Sequence, residues 1–495
     1  MAGTVKIYDR ELFSGFEKSD FLFLAALCLF SAIILFAFCW QPGFLDDDSV
    51  AYAQTARLVA QTNQWLNIYD PSYGGPFYYH FPLVIWISAL IFKAFGVNVI
   101  SASIFSLLSG LAAVIAIFYF GKLIKNRWVG FFSSSVFLLI NFTPRLARQC
   151  RMDMPLALFV ILSLYFFAKA QQGKKTNYLL FGIFTSLAIM TKDVFGLAPL
   201  AIASIFLLFS RNKREFLNPY FLLSLVLAFI PVVSWIILEQ RLSGEAMFNK
   251  WLNWNFLHLL KSPAFNIPAY YYPLEILKRF FYFVPFFVYG GYLAIKKFLK
   301  KDSEAPLLIL IWALFIPFVF SFGRQKLHYF IYSAYPAAAL LAGLALEKII
   351  RDSAKPKAFF LLVFLISAFG LLELCTPLRF ARVYFAQTIK LVPLIDTILE
   401  KCGEYDFYTF SQDETALLFY SKKLKNTIRL KGKEELVASL NDRAADKQRF
   451  CFLDKPSFYA IKPQLHPSWQ VVLEHKDKLL ITDRLTQALP LVLSD

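Results

Sequence analysis

The sequence is short of charge and of cysteine. Asp, Glu, Lys and Arg make up only 17% of 495 residues, and six Cys are scattered with no Cys-x-x-Cys pair. Five His show no metalloprotease-like spacing. A structural metal centre is therefore not expected. There is no G-x-G-x-x-G after a strand and no G-x-x-x-x-G-K-[ST], so no nucleotide-binding signature is present. Internal repeats and low-complexity tracts are absent as well. The first twenty residues lack the apolar core of a signal peptide, and the apolar run that follows is too long for one and has no small-residue cleavage site. It is read as a retained span.

What is abundant is apolar surface. Hydrophobic residues make up 58% of the chain, 56 of them Phe, and mean hydropathy is +0.53. This composition indicates a polytopic helical membrane protein. The net charge of +17 is read as Lys and Arg anchoring cytoplasmic span ends, not as a nucleic-acid surface.

Twelve apolar runs are present: Phe21–Cys39, Pro82–Phe95, Val99–Phe120, Trp128–Phe142, Met154–Ala168, Tyr178–Met190, Val194–Phe209, Phe216–Leu238, Phe280–Ile295, Ala305–Phe322, Tyr329–Leu346 and Phe359–Cys375. Basic clusters at Lys122–Arg127, Lys169–Lys175, Arg211–Arg214, Lys296–Lys301 and Lys348–Lys357 follow every second run, counting back from the C-terminus. Placing these clusters in the cytoplasm leaves one conflict, which disappears when the short run Pro82–Phe95 is taken as interfacial. About eleven spans remain, with the N-terminus inside and the part after Cys375 outside. The expected domains are a transmembrane unit, 1–376, and a soluble α/β unit, 377–495. In the latter YDFYTF, RFCFLD and LLIT read as strands and Lys433–Leu440 as a helix. Cys402 and Cys451 both fall there, either as a pair in an oxidising compartment or as two free thiols.

Three consecutive carboxylates, Asp46, Asp47 and Asp48, follow the first span. Carboxylates at membrane depth are costly unless they meet water, a cation or a partner. Apolar residues from Ala51 to Val59 recur at helical spacing, and Asp48 or Ser49 suits the N-cap of that helix. A capped, solvated turn is the plain alternative. On the same predicted outer face lie His80, then Arg145, Arg148, Arg151 and Asp153, then Lys192 and Asp193, then His258, and finally Arg324, Lys326 and Tyr329. Arg and Lys give charge-assisted donors to phosphate, and a nearby carboxylate orients or accepts an acceptor proton. The set therefore suggests a pocket that holds a phosphate beside a base. Each member also has a plainer reading: arginines pairing with headgroups, Lys192–Asp193 as a local surface ion pair, His80 and His258 as packed side chains, Tyr270–Tyr272 as an interfacial aromatic belt. No cofactor is required by the pattern. A divalent cation on the three Asp is possible chemistry, but no further acidic cluster indicates it.

Several segments carry a likeness. The acidic loop, RMDMPL at Arg151–Leu156, TKD-x-x-G at Thr191–Gly196, QKLHYFIYSAYP at Gln325–Pro336, YAQTARLVAQTNQW at Tyr52–Trp65 and FPLVIWISALIFKAFGVN at Phe81–Asn98 together resemble the GT-C membrane glycosyltransferases. The branch is the one that includes protein O-mannosyltransferases and the lipid A aminoarabinose transferase. The resemblance covers about residues 20 to 350. It implies a GT-C fold and an inverting transferase that moves a sugar from a polyprenyl-phosphate (undecaprenyl-phosphate) donor on the outer face of a bacterial inner membrane. The acceptor implied is lipid A or another envelope lipid or glycan, with membrane lipids as surroundings and no nucleic acid. It further implies a catalytic Asp in the first outer loop. Alignment from Tyr52 favours Asp48, and alignment by the acidic dyad favours Asp47. Asp153, Lys192 and Lys326 match positions of the branch. Its acidic-Lys-Pro-Pro segment reads Tyr79–His80–Phe81–Pro82 here, so His80 takes the place of the phosphate-binding Lys or that role is lost. Two other classes stand beside this reading. A flippase of lipid-linked sugar would need paired broken helices in two similar halves, which the sequence lacks. A non-catalytic assembly subunit would have little use for the acidic dyad. Within the transferases, a protein O-glycosyltransferase is the alternative.

Overall fold

The computed structural model describes residues 18–36, 43–71, 75–243, 247–254, 267–353, 385–411, 413–424, 427–442, 447–484 and 492–493. The expected run Phe359–Cys375, the expected domain boundary and His258 lie outside these residues.

Each of the other eleven apolar runs coincides with a helix or helix pair. In order these are α1 (Lys18–Phe36), α3 (Leu83–Phe95), α4 (Val99–Ile124), α5 (Arg127–Leu139), α7 (Asp153–Gln171), α8 (Asn177–Lys192), α9 (Ala198–Phe209), α10 (Pro219–Ser243) and the helices Val284–Leu299, Ala305–Ser321 and Tyr335–Asp352. Helices α2 (Asp47–Thr62) and α6 (Phe142–Ala147) sit between them, and α2 is followed by a two-stranded antiparallel ribbon, β1 (Tyr69–Asp70) and β2 (Gly75–Pro76). By length and apolarity, five helical stretches among the described residues are sufficient to cross a bilayer: Val99–Ile124, Asp153–Gln171, Asn177–Phe209, Pro219–Leu242 and Tyr332–Asp352. The 13-residue α3 spans about 20 Å, against a hydrocarbon core of about 30 Å. It packs on α2 and α4.

The stretch Asn177–Phe209 looks continuous but doubles back. Lys175 before it and Glu215 after it form an ion pair, and Tyr178 Oη donates to Glu215 at 2.9 Å. A straight helix of this length would hold those ends roughly 50 Å apart. The reversal falls at Asp193, which takes φ +42°. Gly196 makes the return possible, because a Cβ there would lie 2.3 Å from the Ala188 carbonyl. Close helix contact elsewhere uses the same device: α4 and α5 meet at Gly121 and Gly130, where a Cβ on Gly121 would stand 2.5 Å from Gly130 Cα. Small residues are how membrane helices approach without an apolar driving force.

The described residues of all five basic clusters gather at one end of the bundle. Lys125 pairs with Glu347, and Lys122 Nζ lies 2.5 Å from Asp20. Gln172 donates to the Leu123 carbonyl at 3.4 Å. Arg211 pairs with Glu304 at 3.4 Å and donates to the Lys301 carbonyl. With Lys175–Glu215, these contacts join the clusters into one charged rim.

The tail is an α/β unit. Its six-stranded sheet runs β4 (Ile428–Arg429), β3 (Tyr405–Phe410), β5 (Gln448–Asp454), β7 (Lys478–Thr482), β6 (Gln470–His475), β8 (Val492–Leu493). β4, β3 and β5 are mutually parallel, and the β5–β7 and β7–β6 pairs are antiparallel. The three expected strands and the expected helix (observed as Lys433–Asn441) are all present. β5 is buried on both faces, as a central strand covered by helices must be. Phe450 and Phe452 meet helix Ala386–Glu400 through Leu391 and Ile395, while Cys451 and Leu453 meet Leu436 and Phe458 on the other side. Cys402 and Cys451 are free thiols.

Candidate active site

At the end of the bundle opposite the basic rim, α2 is capped not by Asp48 or Ser49, as its apolar spacing suggests, but two to three residues earlier by Asp46, whose Oδ1 accepts from Ser49 N at 2.8 Å and Ser49 Oγ at 2.6 Å. This is ordinary capping chemistry at a positive helix end. Gln149 Oε1 accepts from Leu45 N at 2.8 Å and so pins the turn just before the acids.

Arg151 is the hub. Its Nη1 lies 3.0 Å from Asp46 Oδ1 and 3.2 Å from Asp48 Oδ2, and its Nε donates to Asp153 Oδ2 at 2.8 Å. The guanidinium is 3% exposed and sits 4.1 Å from the centre of the Tyr329 ring. Burial alone would disfavour its charge, but Asp46, Asp153 and Asp48 hold it protonated above its ordinary range. Asp153, the first residue of α7, also receives Lys192 Nζ at 2.5 Å, and both are buried. Lys192 Nζ stands 4.9 Å from the ring centres of Phe195 and Tyr329. Tyr329 Oη donates to Asp48 Oδ2 at 3.1 Å. Burial and Asp48 push the Tyr329 hydroxyl well up from its usual value, so it stays a donor.

Lys192 and Asp193 do not pair with each other. The reversal at Asp193 sends the two side chains to different partners: Asp193 Oδ2 lies 2.7 Å from His80 Nδ1, and its Oδ1 accepts from Phe81 N at 3.0 Å. His80 is thereby fixed at the foot of α3, facing Tyr52 with 6.1 Å between ring centres.

The remaining sequence-predicted residues fall into distinct places. Asp47 is exposed and accepts a local bond from Asp48 N at 3.1 Å, while Asp48 joins the network. Arg145 is exposed, within electrostatic reach of Asp46, Arg151 and Arg279. Arg148 departs from the expected phosphate-binding role: it donates to the carbonyls of Ile34 and Leu35 and anchors the last turn of α1. Lys326 likewise ties a turn, donating to the Ile267 carbonyl at 2.7 Å and to that of Gly323. Arg324 is exposed. Tyr272 is a core residue rather than part of an interfacial belt, whereas Tyr270 is 63% exposed. His328 packs on Phe142, and burial with Arg279 and Arg145 nearby pulls its imidazole down to about 4.

Asp46 and Asp193, singled out in the sequence as outer-face acids, take specific partners: Asp46 doubles as helix cap and Arg151 partner, and Asp193 holds His80. One participant was not among the expected residues: Arg279 stacks its guanidinium 4.3 Å from the Phe142 ring centre while pairing with Glu275 at 2.6 Å. Arg279 carried no signal, because it closes a long loop with nothing distinctive around it.

The assembled chemistry is a half-buried carboxylate, Asp48, held by an arginine and a tyrosine. Beside it are a buried lysine and, at the mouth, further arginines. No group of three or more His, Cys, Asp or Glu among the described residues is arranged to hold a metal ion.

Comparison with known proteins bears on the fold that carries these residues. Residues 79–237 match the family described as dolichyl-phosphate-mannose-protein mannosyltransferase. A protein of Aquifex aeolicus is 25% identical over 363 residues, covering 73% of this chain and 68% of its own. The undecaprenyl phosphate-alpha-4-amino-4-deoxy-L-arabinose arabinosyl transferase of an Enterobacter species is 22% identical, covering 66% of this chain and 59% of its own. The crystal structure of ArnT from Cupriavidus metallidurans bound to undecaprenyl phosphate superposes with TM-score 0.76 at 17% identity, over 95% of this chain and 98% of that one. The resemblance to GT-C glycosyltransferases of the aminoarabinose-transferase and protein-mannosyltransferase type is borne out, and the fold is theirs.

Proposed function

With the GT-C fold as premise, we propose that this chain is an inverting glycosyltransferase that moves a sugar from a polyprenyl-phosphate donor, undecaprenyl phosphate in a bacterial inner membrane, to a lipid A or other envelope lipid or glycan acceptor on the outer face. The observation that carries the reading is the single connected network Asp48–Arg151–Asp153–Lys192, in which one carboxylate reaches the surface and two cations lie behind it.

The step is a displacement at the anomeric carbon. An acceptor oxygen forms the new bond to that carbon as the bond to the phosphate oxygen breaks, and the electron pair leaves with the polyprenyl phosphate. Asp48 accepts the proton of an acceptor hydroxyl; Tyr329 and Arg151 hold the carboxylate in one orientation. An acceptor that is already a phosphate has no proton to give, and Asp48 then orients it. Lys192, Arg145 and Arg279 supply positive charge where the leaving phosphate gathers negative charge, which is the larger share of such catalysis. Asp153 keeps Lys192 and Arg151 in place from behind. His80 stands where the branch carries a lysine, held 2.7 Å from Asp193 Oδ2 through its Nδ1. The comparisons support the donor class through their printed names: one relative is an undecaprenyl-phosphate-sugar transferase, and a structural neighbour binds undecaprenyl phosphate.

The test is mass analysis of envelope lipids and glycans from cells with the protein, without it, and with Asp47→Asn/Asp48→Asn. A sugar-sized mass present only with the intact protein is expected, and its carrier identifies the acceptor. Lipid-linked sugar accumulating on one leaflet in cells lacking the protein, with no mass change in any envelope molecule, would replace the transferase by a flippase.

A further inference from the structure

The tail holds a cleft of about 620 Å³ that the transfer chemistry does not use. Small-molecule sites run from roughly 300 to 1,000 Å³. The cleft lies at the carboxyl ends of the three parallel strands: Ser411 and Asp413 follow β3, Arg429 ends β4, and Asp454 ends β5. Asp477 and Lys478, at the β6–β7 turn, close it from the other side. In open α/β sheets this is where ligands bind, because the strand ends leave a crevice that loops of independent sequence line.

Its lining indicates the kind of ligand. Three carboxylates, Asp413, Asp454 and Asp477, alternate with the cations Arg429, Lys431 and Lys478. A phosphate or carboxylate entering would meet as much negative charge as positive. A molecule rich in hydroxyls meets acceptors and donors together, since each hydroxyl can donate to a carboxylate and accept from a cation. Phe410 adds an apolar wall for the face of a ring.

The cleft is also tied to the catalytic loop. Helix Glu414–Tyr420 starts at Asp413 on the cleft wall and is seven residues long, so it spans about 10 Å. At its far end Arg57 of α2 donates to the carbonyls of Leu418, Phe419 and Ser421, and Tyr420 Oη accepts from Phe44 N at 3.0 Å. Phe44 lies two residues from Asp46. Ala416 and Phe419 belong to the same apolar cluster as Phe44, Ala53 and Phe92.

We infer that this cleft is a second ligand site, for the neutral, hydroxyl-rich portion of the acceptor, coupled through helix Glu414–Tyr420 to the loop that carries Asp48. Its role toward an acceptor rests on the transferase reading; its binding of sugar does not.

The test uses the full chain in detergent, saturation-transfer NMR with a panel of neutral mono- and disaccharides, inorganic phosphate as competitor, and the variant Lys431→Ala/Asp477→Ala. Both substituted residues are exposed and stand outside the Asp48 network. Saturation transfer to at least one sugar is expected, unaffected by phosphate and weakened about tenfold in the variant, the size of one or two lost charge-assisted hydrogen bonds. No transfer to any sugar, full transfer in the variant, or displacement by phosphate would overturn the site. In the transfer reaction the variant is expected to raise the acceptor KM with kcat and donor KM unchanged. An unchanged acceptor KM would remove the acceptor role while leaving sugar binding in place. Sugar binding in a protein that transfers nothing would instead count against the transferase reading alone.

Discussion

Lys192 Nζ lies 2.5 Å from Asp153 Oδ1, across 39 residues of sequence, and both side chains are buried. The contact joins the last residue of α8 to the first of α7 and places a cation directly behind the acidic loop. Removing one partner of such a pair leaves an uncompensated buried charge, which costs about 3–5 kcal/mol. Asp153→Asn is therefore expected to lower both transfer and the thermal midpoint. Asp153→Asn with Lys192→Met should recover much of the stability and none of the activity. Thermal unfolding of the detergent-solubilised variants, run beside the transfer assay, separates the two effects; full activity in Asp153→Asn would reduce the arginine cluster to headgroup anchoring.

Asp47 and Asp48 should differ sharply. Asp48 is held by Arg151 and Tyr329, whereas Asp47 faces solvent. Asp48→Asn is expected to lower kcat by about 10²–10⁴-fold, the usual worth of a positioned base, and Asp47→Asn only a few-fold. Single-variant kinetics decide this, and the opposite ranking would move the base to Asp47.

Arg57→Ala should loosen the tail from the membrane unit. Its guanidinium caps three carbonyls at the end of helix Glu414–Tyr420, where the helix leaves acceptors unpaired. A loss of about 2–3 kcal/mol is expected from bonds to one charged group. Limited proteolysis should then release the tail sooner than in the parent protein, and unchanged cleavage would show that the apolar cluster alone holds it.

His328 sets a pH dependence. Its imidazole is held down to about 4 from an ordinary 6.5, so the unfolded chain binds the proton more readily than the folded one. Stability from this residue is present above pH 6.5 and falls as pH drops toward 4, by the linkage of proton binding to folding. His328→Gln should flatten the thermal midpoint across that window, and an unaltered slope would assign the loss to carboxylates.

A tag after Asp495 should be reachable only from outside the inner membrane. The described residues of the five basic clusters lie at one end of the bundle, and the positive-inside bias puts that end in the cytoplasm. The tail contacts α2, at the other end. Modification of a terminal Cys by a membrane-impermeant reagent in intact spheroplasts is the measurement, and a cytoplasmic tag would invert the orientation.

Much of this could be read along the chain. The apolar runs foretold the helices because a helix in lipid must satisfy its own backbone and present apolar side chains, a local requirement. The strands YDFYTF and RFCFLD were legible because both are dense in aromatic and apolar residues. The acidic loop and the cations stood out as charges beside long apolar runs. Their pairing did not stand out. Lys192 and Asp193 are neighbours that read as a local ion pair, yet a positive φ at Asp193 turns one side chain to Asp153 and the other to His80. Arg148 and Arg151 differ by three residues; one caps α1 and the other organises the site.

Sequence by itself determined that this chain lives in a membrane, where its basic rim lies along the chain, and which polar residues are expensive enough to need a reason. Hydropathy and charge are sums over neighbouring residues, so they survive without knowledge of the fold. Tertiary structure alone decided which carboxylate meets which cation and that Asp48 rather than Asp47 joins the network. It also decided that a seven-residue helix of the tail sits against the acidic loop. Those are contacts of a few ångströms between residues tens to hundreds of positions apart. Such contacts depend on how the helices cross and where the chain reverses, and no local pattern carries that information.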